Sequence, residues 1–113
     1  MSFLFKIQDR AVFPNPETIM IYPFNQIWER DISPKKEVAM QEFAYIEFMI
    51  SMMKSNTYRE SAEEMKEVKI RQEVIVEIGW QPDELVQAGM DKLVELQTEG
   101  SLTYRYWIAS KTA

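Results

Sequence analysis

The sequence contains no cysteine and no histidine. The first absence removes disulfides, thiolate nucleophiles and cysteine metal ligands together. The second removes the side chain most used as a general base or transition-metal ligand near neutral pH. Between them they close the common catalytic designs, so the expectation is a protein that is not an enzyme and holds no cofactor. Glycine is scarce: Gly79, Gly89 and Gly100 are the only three, and none stands in the G-x-x-x-x-G-K spacing of a phosphate loop. No apolar run reaches the roughly 18 residues of a membrane span. The start Met1-Ser2-Phe3-Leu4-Phe5-Lys6 lacks the basic, apolar and cleavage regions of a signal peptide, which implies a soluble chain that stays where it is made. Basic charge is also short. With 13 basic against 18 acidic side chains the net charge is −5, which opposes the long-range attraction to phosphate that nucleic-acid binders use.

What is present is a single domain's length of 113 residues with 46% hydrophobic content, enough to bury a core. Apolar residues alternate imperfectly from Phe3 to Ile7, and Pro14 and Pro16 then forbid a continuing helix or a central strand. Residues 1–23 therefore read as an extended arm or an edge hairpin. Within them Thr18-Ile19-Met20-Ile21-Tyr22 is β-prone and could pair with residues 3–7, or could equally be one helical turn begun by Pro16.

Residues 24–113 read as a helical domain, so the fold class is mainly α: a small bundle of about four helices behind the N-terminal segment. Phe24, Ile27 and Trp28 stand at i, i+3 and i+4 and define a short helix over 24–31. Ser33-Pro34 reads as an N-cap followed by a first-turn proline, opening a helix from about 34 to 54. Ala39, Phe43, Ile46, Ile50 and Met53 form one stripe of this helix, and Val38, Tyr45, Met49 and Met52 a second beside it. Only a narrow polar strip is left, with Lys36, Glu47, Ser51 and Lys54. Such a helix must be covered on several sides, by its own chain or by a neighbouring subunit.

Asn56, tolerant of the left-handed conformation, is expected to end that helix. Ser61-Ala62-Glu63-Glu64 matches a capping box, and Gly79 can close the helix it starts. The β-branched run Val74–Ile78 could be a strand, but with no strong partner strand nearby it is read as helical. Pro82-Asp83-Glu84 opens a further helix that Gly100 stops, with Leu85, Val86, Gly89, Leu93 and Leu96 on its buried face. Gly89 there allows close approach of another helix. The last stretch, from Ser101 through Tyr104, Tyr106 and Trp107, shows no stop signal, so the sequence leaves open whether the natural chain extends beyond Ala113.

The carboxylate pairs Glu63-Glu64 and Asp83-Glu84 are explained more simply as first-turn acids than as Mg²⁺ or Ca²⁺ ligands, because no calcium-loop motif accompanies them. Tyr104-Arg105-Tyr106-Trp107 has the composition of a base-stacking surface, but Arg105 and Lys111 are its only nearby basic residues and core packing or a protein contact explains it better. The positive signal is richness in aromatics and methionine: three Trp, five Tyr, six Phe and eight Met. These residue types are enriched at protein interfaces, and they also fill small cores. Tyr22, Phe24, Trp28, Trp80 and Trp107 are the candidate partner-binding residues.

The stretch Ile21-Tyr22-Pro23-Phe24-Asn25-Gln26-Ile27-Trp28-Glu29-Arg30-Asp31, with Phe43-Ala44-Tyr45-Ile46-Glu47-Phe48-Met49 and Lys54-Ser55-Asn56-Thr57-Tyr58, resembles small virion structural proteins of tailed bacteriophages, particularly large and crAss-like ones. The likeness is densest over residues 19–58. It implies a component of the head or connector, localised to the virion after assembly in the host cytoplasm. It would be present in many copies and held by contacts with capsid, portal or neck subunits. It names no functional residue. A small helical adaptor or regulator that inhibits or binds a viral or host protein is the alternative.

Overall fold

The computed structural model describes residues 4–8, 11–51, 56–58, 60–75 and 79–98. Among the described residues the order is strand β1 (Phe5–Gln8), strand β2 (Ala11–Pro14), a 3-10 turn (Thr18–Met20), then helices α1 (Phe24–Arg30), α2 (Glu37–Ile50), α3 (Glu63–Glu73) and α4 (Glu84–Thr98). The fold is mainly α with an N-terminal hairpin, as the sequence pattern implies.

β1 and β2 pair antiparallel, with Phe5 opposite Pro14 and Ile7 opposite Val12. These positions share one face by the two-residue period of a strand, while Lys6 and Phe13 share the other. Leu4, Phe5 and Val12 are buried, and β2 lies against α2, so the hairpin is a wall of the core and not a free arm. Residues 18–22 do not pair with β1. Thr18–Met20 takes the helical-turn alternative, and the buried Thr18 hydroxyl donates to the Leu4 carbonyl, tying the turn back to the hairpin.

α1 forms where its apolar spacing predicts. Phe24 and Ile27 are buried, and Phe5, Phe24 and Phe43 meet with ring centroids 5.3–6.1 Å apart. Trp28 stacks nearly parallel on Phe43 at 6.3 Å. Each fully buried side chain of this size contributes about 1.5–3 kcal/mol.

The start of α2 differs from the sequence expectation. It begins at Glu37, three residues later than Pro34, because Lys36 sits in the left-handed region at φ 56°. Ser33 still serves the helix, since its hydroxyl accepts from the Glu37 N–H at 3.0 Å. The stronger cap is Asp31: one carboxylate oxygen accepts from Ala39 N–H at 2.7 Å and the other from Ser33 N–H at 2.9 Å. Lys36 Nζ donates to the carbonyls of Trp28 and Asp31, satisfying the C-terminal end of α1. The turn joining α1 to α2 is thereby braced from both helices.

α2 is the central element, packed against β2, α1, α3 and α4. Every residue from Glu42 to Phe48 is buried, including Glu47 on the strip expected to be polar. Its own chain thus supplies cover that could equally have come from a neighbouring subunit. α2 ends at Ile50; Met52, Met53 and Lys54 lie outside the described residues. Asn56 does not terminate it by a left-handed backbone. Instead the wholly buried Asn56 amide donates to the carbonyls of Phe48 and Ser51 at 3.0 and 2.7 Å, and its oxygen accepts from Tyr58 N–H at 3.0 Å.

The capping box at Ser61 does not form: α3 starts at Glu63 with Ala62 as its N-cap and no side-chain cap bond. It ends at Glu73, so Val74 and Ile75 lie beyond it, and 76–78 fall outside the described residues. Asp83 caps α4 by accepting from Val86 N–H at 3.1 Å. Gly89 is buried on α4 against α2, where a Cβ would lie 2.6 Å from Ile46 Cδ1 and 3.3 Å from Phe24 Cε1. Absence of a side chain is what lets the two helices approach there, as the sequence implies. Gly100 and the stretch from Ser101 onward, with Trp107, lie outside the described residues.

Candidate functional site

The five aromatic residues singled out by sequence have separate fates. Phe24 is 0% exposed and offers no surface, which corrects its reading as a partner anchor: its ring closes the core between Phe5 and Phe43. Trp28 is half-buried, stacked on Phe43 with Lys36 Nζ 5.4 Å from its ring centroid. Trp80 is buried, Tyr22 is exposed, and Trp107 lies outside the described residues.

Trp80 sits in a polar clamp that joins four elements. Its indole N–H donates to Glu42 Oε2 at 3.1 Å, and its ring meets Tyr45 edge-on at 4.9 Å. Arg30 from α1 reaches both Glu42 of α2, at 3.0 Å, and Asp83 before α4, at 2.6 Å. Arg71 of α3 donates to the Trp80 carbonyl at 2.8 Å and to Gln81, pairs with Glu67, and lies over the Trp80 ring. The Tyr45 hydroxyl donates to Glu67 at 2.5 Å.

Burial and hydrogen bonding shift the ionisable groups of the clamp. The hydrogen bond from Arg30 holds the Asp83 carboxyl below its ordinary range. Burial pushes Glu67 up, but the hydrogen bonds from Tyr45 and Arg71 outweigh it and leave the carboxyl lowered. Burial, reinforced by the neighbouring Glu67, raises the Tyr45 phenol far above its usual value. These shifts favour an ionised Asp83 and Glu67 and a neutral Tyr45 hydroxyl that donates to Glu67, the forms in which the clamp's hydrogen bonds are made. The arrangement holds the segment from Gly79 to Asp83 onto the bundle, and Gly79, at φ +82°, makes the bend that enters it.

Among the described residues, concave regions flank this body. One, of about 360 Å³, runs between Ile32 and Val38 on one side and Trp80, Gln81 and Asp83 on the other. Ile32 is 97% exposed and Val38 is 39% exposed, although the backbone that carries Ile32 is the braced turn of Asp31, Ser33 and Lys36. The second, of about 410 Å³, lies between the Ile21–Pro23 segment and the outer side of α4 at Ala88, Asp91 and Glu95. Tyr22 is 57% exposed on its rim, with Met20, at 79%, two residues before it.

Sequence reasoning missed Ile32 and Met20. The available signal was position: Ile32 is a lone large aliphatic between Asp31 and Ser33, outside either helical stripe. Among the described residues no group of acidic side chains is placed to hold a metal ion, and no helix is long and apolar enough to cross a membrane. No known protein family, curated protein or solved structure matches the chain.

Proposed function

We propose that this chain is a non-enzymatic structural or auxiliary protein of a tailed-phage particle, in the head or connector, acting in many copies through contacts with capsid, portal or neck subunits. The resemblance over residues 19–58 supports the setting. Missing histidine and cysteine support the non-enzymatic half.

The observation that carries the docking half is Ile32. A large aliphatic side chain stands in solvent on a turn held by the Asp31, Ser33 and Lys36 hydrogen bonds, beside the half-exposed Val38. Burying it in a partner would contribute about 1.5–3 kcal/mol, with little of the ordering cost that a flexible loop incurs.

Mass spectrometry of purified particles tests the setting: the chain should be present at stoichiometric, multi-copy level. A chain missing from particles and recovered instead as a soluble 1:1 complex with an enzyme would overturn it in favour of the regulator. Ile32→Asp tests the surface. It should leave thermal stability unchanged within about 0.5 kcal/mol, as at exposed positions generally, while abolishing incorporation.

A further inference from the structure

The groove beside α4 has two unlike walls. On one side Ile21 presents apolar surface over the buried Pro23, and Tyr22, between them, is 57% exposed. On the other, Ala88 makes a small apolar floor and Asp91 and Glu95 supply carboxylates. Lys92 lies 3.6 Å from Glu95 and offsets that charge. Asp91 accepts a hydrogen bond from Gln87 at 3.1 Å but makes no ion pair among the described residues, so the groove carries one uncompensated negative charge beside an aromatic ring.

We propose that this groove receives an arginine side chain presented by a partner protein. Its methylenes would lie along Ile21 and Ala88, and its guanidinium between the Tyr22 ring and the Asp91 carboxylate. An apolar strip leading to a carboxylate matches a side chain whose stem is apolar and whose head is cationic. Arginine fits better than lysine because its planar, weakly hydrated head stacks on an aromatic ring while donating to a carboxylate. An anionic ligand is opposed by Asp91 and Glu95, and a divalent cation by the ammonium of Lys92 paired with Glu95. This deepens the docking reading and rests on it, but the groove is separate from the Ile32 surface.

The test is NMR titration of the full chain with the blocked tripeptide acetyl-Ala-Arg-Ala-amide, against its lysine and citrulline counterparts. Citrulline keeps the shape of arginine without the charge. The arginine peptide should shift the amide signals of Tyr22, Ala88, Asp91 and Lys92 saturably, in the millimolar range expected of one side chain. Lysine should bind more weakly and citrulline not measurably. Asp91→Asn and Tyr22→Ser, both at exposed positions, should each weaken binding about two- to fivefold while leaving the rest of the spectrum in place. Equal responses to arginine and citrulline, equal responses to arginine and lysine, or no saturable response would each overturn the proposal. In particles, loss of incorporation by Ile32→Asp with full incorporation of Asp91→Asn and Tyr22→Ser would retain the docking reading and refute this one.

Discussion

Replacing Asn56 by alanine is the most discriminating single perturbation of this fold. Asn56 is 0% exposed, and its amide answers three groups within 3.0 Å: the carbonyls of Phe48 and Ser51 and the N–H of Tyr58. The Glu47 carbonyl, at 3.4 Å, adds little. Alanine would leave these buried backbone groups without that side chain, at about 1–3 kcal/mol for each group left unsatisfied. The Phe48 and Ser51 carbonyls lie at or just beyond the end of α2, and a C-terminal carbonyl can be partly rescued by water or a tightened last turn. The expected loss is therefore near the low end of the sum, about 3 kcal/mol. For a domain of this size that lowers Tm by roughly 12 °C.

Urea denaturation with the slope held common to wild type and variant measures it. Asn56→Asp sharpens the result. It keeps the oxygen that accepts from Tyr58 but turns a donor into an anion facing carbonyls, so it should destabilise more than alanine does. A loss under about 0.5 kcal/mol for Asn56→Ala, or a more stable Asn56→Asp than Asn56→Ala, would refute the assignment of Asn56 as the lock on the end of α2.

Arg30→Ala should cost about 2–3 kcal/mol, because Glu42 keeps only the Trp80 indole as a donor while its carboxylate stays buried; chemical denaturation reads the loss, and Trp80 fluorescence should shift with it. Asp31 contributes to the acid limb, as Asp83 and Glu67 do: burial pushes its carboxyl up, but the hydrogen bonds from Ala39 and Ser33 and the charge of Lys36 outweigh that and lower it. A lowered carboxyl contributes stability above its unfolded value near 4, lost as pH falls through the folded value. Stability should therefore drop below about pH 4, and Asp31→Asn should flatten that drop in acid titrations followed by circular dichroism. Gly89→Ala sets a helix-propensity gain of about 1 kcal/mol against overpacking of about 1–3 kcal/mol where Cβ meets Ile46. A net loss in melting temperature is expected, and a rise would mean that Ile46 has another rotamer to adopt.

Apolar periodicity within one helix was legible in the sequence, whereas end signals such as the Ser61 capping box were not. Three-and-four spacing at Phe24, Ile27 and Trp28 set α1, and the small residue at Gly89 marked the close helix contact, because both depend on periodicity along one element. The candidate site was much less legible. Tyr22 was named and is exposed, but Phe24 was named and is core, since an aromatic side chain has the same composition value whether it faces in or out. Ile32 carries no periodic signal, because its meaning lies in the braced turn that holds it.

By itself, the sequence determined a cysteine- and histidine-free, acidic, mainly helical chain with an apolar central helix, because composition and local period decide those properties, although that helix runs only from Glu37 to Ile50. Which groups cap its ends was decided only in three dimensions. The capping box at Ser61 lost to Ala62, the Ser33 cap was overtaken by Asp31, and Asn56 reached back eight residues to Phe48. Tertiary structure also decided what lies against α2: β2, α1, α3 and α4 of the same chain pack on it and bury every residue from Glu42 to Phe48 while Val38 stays exposed, because contacts between elements distant in sequence are set by packing and not by local period.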